Sequence, residues 1–224
     1  MQFPSAILFD IGDTLLDEQW FDLEAGIGAV TRPGADVATL AAAFRSDLAD
    51  HHERNSELLL AQWLMRRIPV LSSSTVVEVE DRIWGAIVSL TPRVGVATML
   101  RRLHTDGVPV AAVSNAAFSS RVLGAELARH GLGTFLRFVL TSADLGSRKP
   151  AALLFETAVQ RLGVAPSETW FVGDTLNEDI DGALRAGLQP VWITHGLETT
   201  ALPFDVPVVH SWPEFLTLYG TVTN

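Results

Sequence analysis

The chain has 224 residues, 48% of them hydrophobic, which suits one large domain or a core with a smaller insert and is unlike a disordered chain. A net charge of −10 argues against nucleic acid or an anionic membrane as partner, since both are bound through basic surfaces. With no cysteine, disulfides and thiolate metal sites are excluded; with no basic leader segment and no apolar run of membrane length either, the expectation is a cytoplasmic protein.

Ala6, Ile7, Leu8 and Phe9 read as a strand buried on both faces, as in a parallel sheet, and they run straight into Asp10 and a tight turn through Gly12, Asp13 and Thr14. A buried strand ending in Asp aims that carboxylate at the crevice above the sheet's C-terminal edge. Strand signals then nearly vanish. Amphipathic helices are expected over 36–52, 56–66 and 76–88, giving a helical insert over 17–90 with hinges near 16–20 and 90–93. Beyond it, helix and strand alternate. Helices are expected over 94–104, 120–130, 150–162 (opened by Pro150) and 176–186, with strands over 108–113, 138–141, 169–172 and 190–194. An edge strand over 206–210 and a closing helix over 213–218 complete the pattern. Such alternation means an α/β core, residues 1–16 and 91–224, built as a doubly wound parallel sheet with right-handed crossovers.

Polar groups stand at four strand ends or loop positions of this core: Asp10, then Ser114 and Asn115, then Lys149 before Pro150, then Asp174 and Asp179 after Gly173. Lys149 is the one lysine among sixteen basic residues. Where arginine serves everywhere else, a retained lysine marks a place that wants a compact point charge rather than a planar fork. Gathered at one sheet edge, these residues bring two or three carboxylates, a hydroxyl and an ammonium together. Carboxylates so placed repel unless a divalent cation sits among them, and a hydroxyl and ammonium beside a cation make a receptor for a phosphoryl group.

This order and spacing resembles the haloacid dehalogenase superfamily of hydrolases across nearly the whole chain. The quoted residues match its four motifs in order, and the helical insert resembles the family's C1-type cap. The resemblance implies that Asp10 is a nucleophile forming an aspartyl-phosphate on a small phosphorylated substrate. It implies Mg2+ held by Asp10, the main-chain carbonyl of Gly12 and Asp174. Asp179 would act from behind the metal or orient Lys149, Thr14 would cap the turn, Ser114 and the Asn115 main chain would bind phosphoryl oxygens, and Lys149 would neutralise charge. Asn177 and Glu178 read as solvated helix-start residues.

One position departs from the family. Its phosphatases usually read Asp-x-Asp-Gly-Thr, and the second Asp protonates the leaving oxygen; here Gly12 stands in that place and Asp13 follows. Strand-end alternation turns Asp13 away from the Asp10 side, and Asp tolerates the positive φ that the turn requires. Losing general acid catalysis, worth about a hundredfold to ten-thousandfold, would slow alkyl esters more than good leaving groups. Two alternatives stay open: a metal-independent 2-haloacid dehalogenase, which needs no leaving-group proton, and a non-catalytic phosphate-binding member. A Schiff-base phosphonatase would need a lysine in the cap, and there is none. In the insert, Glu18, Gln19, His51, His52, Arg54, Arg66 and Arg67 are polar candidates. The His and Arg pairs read as solvated helix faces, Trp20, Trp63 and Trp84 as cap packing, and His195 as a loop residue.

Overall fold

The computed structural model describes residues 2–196 and 205–222; the side chains of Gln19, Trp20 and Val88 lie outside that description. Strand β1 (Ala6–Phe9) is followed by β2 (Leu16–Phe21), four helices, α1 (Leu23–Gly28), α2 (Val37–His52), α3 (Leu60–Met65) and α4 (Val76–Ile87), and then β3 (Val88–Pro92). The second part runs α5 (Val96–Thr105), β4 (Val110–Ser114), α6 (Ser120–Arg129), β5 (Val139–Thr141), α7 (Ser142–Leu145), α8 (Ala152–Leu162), β6 (Thr169–Gly173), α9 (Gly182–Arg185), β7 (Gln189–Ile193), β8 (Val208–Val209) and α10 (Trp212–Thr221). No helix among the described residues is long and apolar enough to cross a membrane.

Six strands form one parallel sheet in the order β5-β4-β1-β6-β7-β8. Strand alternation sorts its side chains onto two cores. Ile7, Phe9, Val110, Ala112, Trp170 and Val172 face α5 and α10, against Met99, Leu103, Trp212 and Phe215. Leu8, Ala111, Val113 and Phe171 face α8 and α9, against Leu154, Phe155, Ala158 and Ala183. Because both faces are covered, the central strands are continuous apolar runs, as the sequence led us to expect. β1 lies between β4 and β6, so the loops leaving these three strands converge on one point of the C-terminal edge.

Several local expectations are corrected. The segments read as hinges are the two strands of an antiparallel ribbon, β2 with β3, pairing Leu16 with Pro92 and Glu18 with Leu90 and irregular between Glu18 and Trp20. Asp17, Glu18 and Gln19 give β2 a poor local strand signal; its partner lies some seventy positions away in the chain, out of reach of any window. Helix α1, started by the Asp22 side chain accepting from the Ala25 N–H, also escaped the sequence reading. Helix α3 begins at Leu60 rather than at residue 56, because Ser56 is taken by an antiparallel bridge to Ser147 of the core. Pro150 precedes its helix instead of opening it; the Lys149–Pro150 peptide is cis and α8 starts at Ala152. The expected helix over 176–186 is split into a π-helical turn, Leu176–Asp181, and the short α9.

Candidate active site

Asp10 leaves the end of β1 with its N–H bonded to the Val172 carbonyl, which holds it at the edge between β1 and β6. Lys149 is 1% exposed and spends its three ammonium protons on Asp10 Oδ1 at 2.6 Å, Asp179 Oδ1 at 2.6 Å and the Val113 carbonyl at 3.1 Å. Burial by itself would lower the Lys149 pKa; the two carboxylates more than offset this and raise it, so the ammonium stays charged. An arginine fork would not fit three acceptors arranged around one point.

Asp179 is held from both sides, since its Oδ2 accepts the Thr175 N–H at 3.0 Å. Gly173 makes this possible: a Cβ there would collide with the Asp179 carboxylate. The Asp174 carboxylate accepts from Thr14 Oγ1 at 3.2 Å, and its main-chain carbonyl accepts from Trp192 Nε1 at 2.7 Å. One carboxylate oxygen from each of Asp10, Asp174 and Asp179 lies within 4.8 Å of the others. Burial, then the neighbouring acids Asp179 and Asp174, push Asp10 up to about 7 despite Lys149; burial and Asp179 push Asp174 up to about 6. An all-oxygen set of acids that destabilise one another's ionised forms fits a hard divalent cation.

Asn115 acts through its side chain as well as standing next to Ser114. Its Oδ1 accepts the Lys149 N–H at 2.8 Å, and its Nδ2 donates to the Lys149 carbonyl at 3.0 Å and to Glu178 Oε2 at 2.8 Å. Glu178 also takes Arg148 Nη2 at 2.8 Å. It is therefore a brace between two motif loops, correcting its reading as a solvated helix-start residue; Asn177 is exposed, as that reading had it. No local pattern could have marked Glu178, because both partners come from elsewhere in the chain.

Asp13 has φ 52°, the left-handed conformation expected of it, and its carboxylate pairs with Arg93 Nη2 at 2.9 Å. Gly12 is different. Its φ is not in the left-handed region, and a Cβ there would meet nothing within 4 Å, so neither backbone nor packing demands glycine. His195, at φ 49°, lies in the turn after β7 with its ring edge-on to Trp212.

The helical insert meets the core beside these residues. Glu57 is 7% exposed and accepts from Ser142 Oγ at 2.9 Å, while His52 Nε2 lies 3.2 Å from its other oxygen. His51 bonds Ser56 Oγ at 2.8 Å, so the His pair is half-buried and partnered rather than a solvated face. Arg67 pairs with Asp47 and lies over the Trp63 ring, and like Arg54 and Arg66 it is exposed. Trp63 packs inside the insert against Phe44; Trp84 instead reaches the core, donating to Glu126 at 3.2 Å and lying edge-on to Phe118. Between insert and core is a cavity of about 300 Å3 that borders Gly12, Ser114 and Asn115.

The haloacid dehalogenase-like hydrolase family model matches residues 4–187. The chain is 31% identical over 207 residues to a glyceraldehyde 3-phosphate phosphatase of Methanopyrus kandleri, covering 85% of this chain and 84% of that one. A second glyceraldehyde 3-phosphate phosphatase, from Methanothermobacter thermautotrophicus, is 26% identical and covers 86% of both chains. In fold, it is similar to a phosphatase structure from Thermococcus onnurineus, with a TM-score of 0.65, 21% identity and 98% of both chains covered.

Proposed function

The chain belongs to the haloacid dehalogenase-like hydrolases, and from that premise we propose that it is a Mg2+-dependent phosphatase of small phosphorylated metabolites, with Asp10 as nucleophile. The observation that carries this reading is the Lys149 ammonium bridging Asp10 and Asp179, with Asp174 alongside, next to a cavity that borders Gly12, Ser114 and Asn115. One Asp10 oxygen is held by Lys149, and the other is left to attack phosphorus in line with the departing ester oxygen. The Asp10 oxygen-to-phosphorus bond forms as the bond to the ester oxygen breaks, and water later cleaves the aspartyl-phosphate. Ser114 and the Asn115 main chain would hold phosphoryl oxygens, and Lys149 would balance charge on the nucleophile. Asp10, the Gly12 carbonyl and Asp174 would hold Mg2+, with Asp179 reserved for Lys149 and Thr14 steadying Asp174. The cation would supply charge neutralisation for the phosphoryl group and favour the ionised forms of Asp10 and Asp174, which burial and neighbouring acids raise.

The helical insert serves in this reading as a cap over the site, and the relatives' action on a triose phosphate supports a small substrate. Gly12 favours one rival, a dehalogenase that needs no proton donor. The intact acids Asp174 and Asp179 support the phosphatase instead, because a carbon–halogen substrate gives a cation nothing to neutralise.

One experiment separates them: hydrolysis of 4-nitrophenyl phosphate and of an alkyl phosphate, with and without Mg2+, beside halide release from 2-haloacids. Expected is metal-dependent phosphate release that Asp10→Asn abolishes. Gly12→Asp, which has open space for its side chain, should raise alkyl ester turnover about a hundredfold and aryl turnover much less. Halide release without metal would sink the proposal.

A further inference from the structure

We infer that the group carrying the phosphate is a hydrocarbon, an aromatic or branched alcohol, and not the hydroxylated chain of a sugar or triose phosphate. This rests on the phosphatase reading above. The cavity borders Gly12, two residues after Asp10, and Ser114, so a phosphate ester seated on Asp10 would extend its carbon group into it. Its walls are Phe44, Leu48 and Leu60 of the insert and Trp84, Phe118 and Leu123 at the insert–core junction. Trp84 and Phe118 present an aromatic corner, ring centres 4.9 Å apart at 72°.

Several polar groups of the lining that could receive a substrate hydroxyl are already engaged. Trp84 Nε1 is given to Glu126, and the Asn115 amide to Lys149 and Glu178. The Ala116 N–H is given to Ser142 Oγ, and the Ala117 carbonyl accepts the Leu60 N–H. Charged side chains in the lining are Glu18 and Arg45, both exposed. A hydroxyl placed against the apolar walls would lose its water and gain no partner there, whereas an apolar ring loses nothing. Space suffices: an apolar cavity of about 150 Å3 takes up benzene, and this one has about twice that volume.

The test compares benzyl phosphate with glycerol 3-phosphate in Mg2+. Both expel a primary alkoxide, so a missing proton donor handicaps both alike and the ratio reads the pocket. Expected is a kcat/KM at least about tenfold higher for benzyl phosphate. Leu48→Gln, which puts an amide on a half-buried wall position, should bring that ratio toward one. Equal rates, or a preference for glycerol 3-phosphate, overturn the inference while leaving the phosphatase reading intact. If neither these esters nor 4-nitrophenyl phosphate is hydrolysed, the phosphatase reading is what has failed. The pocket is then read by binding: benzylphosphonate should raise Tm more than glycerol 3-phosphate does, and equal shifts overturn the inference.

Discussion

The sheet edge and the insert wall of the cavity beside it follow opposite rules. On the sheet edge each functional group is named by its partner: Lys149 by two acids and a carbonyl, Asp179 by Lys149 and Thr175, Asn115 by the main chain of Lys149. On the insert side, Phe44, Leu48 and Leu60 are defined only by being apolar and of suitable size. Directional bonds in a buried setting tolerate one geometry, whereas apolar contacts tolerate many shapes of similar volume. In the phosphatase reading proposed above, the chemistry would be set on the rigid side and the choice of substrate on the side that can be repacked.

The sharpest way to break this comparison is to remove the ammonium. Lys149→Met leaves Asp10 and Asp179 buried without their shared cation and should lower stability by about 3–5 kcal/mol in urea unfolding. Leu48→Met on the opposite wall should cost under about 1.5 kcal/mol. Similar losses for the two would mean that the edge is no more constrained than the wall.

A smaller effect separates two glycines of the same edge. Gly173→Ala forces a Cβ into the Asp179 carboxylate and should cost about 1–3 kcal/mol. Gly12→Ala meets open space and should stay within about 0.5 kcal/mol of the parent in the same denaturation assay. A large loss at Gly12 would show that the missing acid has a structural reason after all.

The smallest expected effect is a pH dependence. Asp10, near 7, and Asp174, near 6, are raised above ordinary carboxylates, so the folded chain binds more protons than the unfolded one. Their stabilising contribution is complete below about pH 4, the ordinary carboxylate range, and is lost as pH rises through 6 to 7. A cation that favours the ionised forms offsets that loss. Mg2+ should raise Tm by about 3 °C at pH 8 and by little at pH 5. Equal shifts at both pH values would place the bound cation somewhere other than among these acids.

Legibility in the sequence divided along the same line. The buried parallel strands were readable because coverage on both faces leaves an uninterrupted apolar run, as in Val110–Ser114 and Thr169–Gly173. Asp10, Ser114, Lys149 and Asp174 were readable because each follows such a run or stands beside a proline or glycine stop. The β2–β3 ribbon was not, since its strands are polar and their pairing spans the whole insert. Glu57 and Glu178 were not either: each is an ordinary acid in sequence and becomes a brace only where Ser142, Arg148 and Asn115 arrive from other elements.

The sequence by itself determined the alternating α/β order, the acids and lone lysine that follow its strands, and the glycine where a proton donor is usual. All of these are encoded in neighbours along the chain, through hydrophobic period and turn chemistry. Only the tertiary structure decided that Asp179 belongs to Lys149, that Asp13 belongs to Arg93, that Gly12 is free to be something else, and that the insert wall of the cavity is apolar. Those are contacts between distant segments, and no local pattern carries the distance between them.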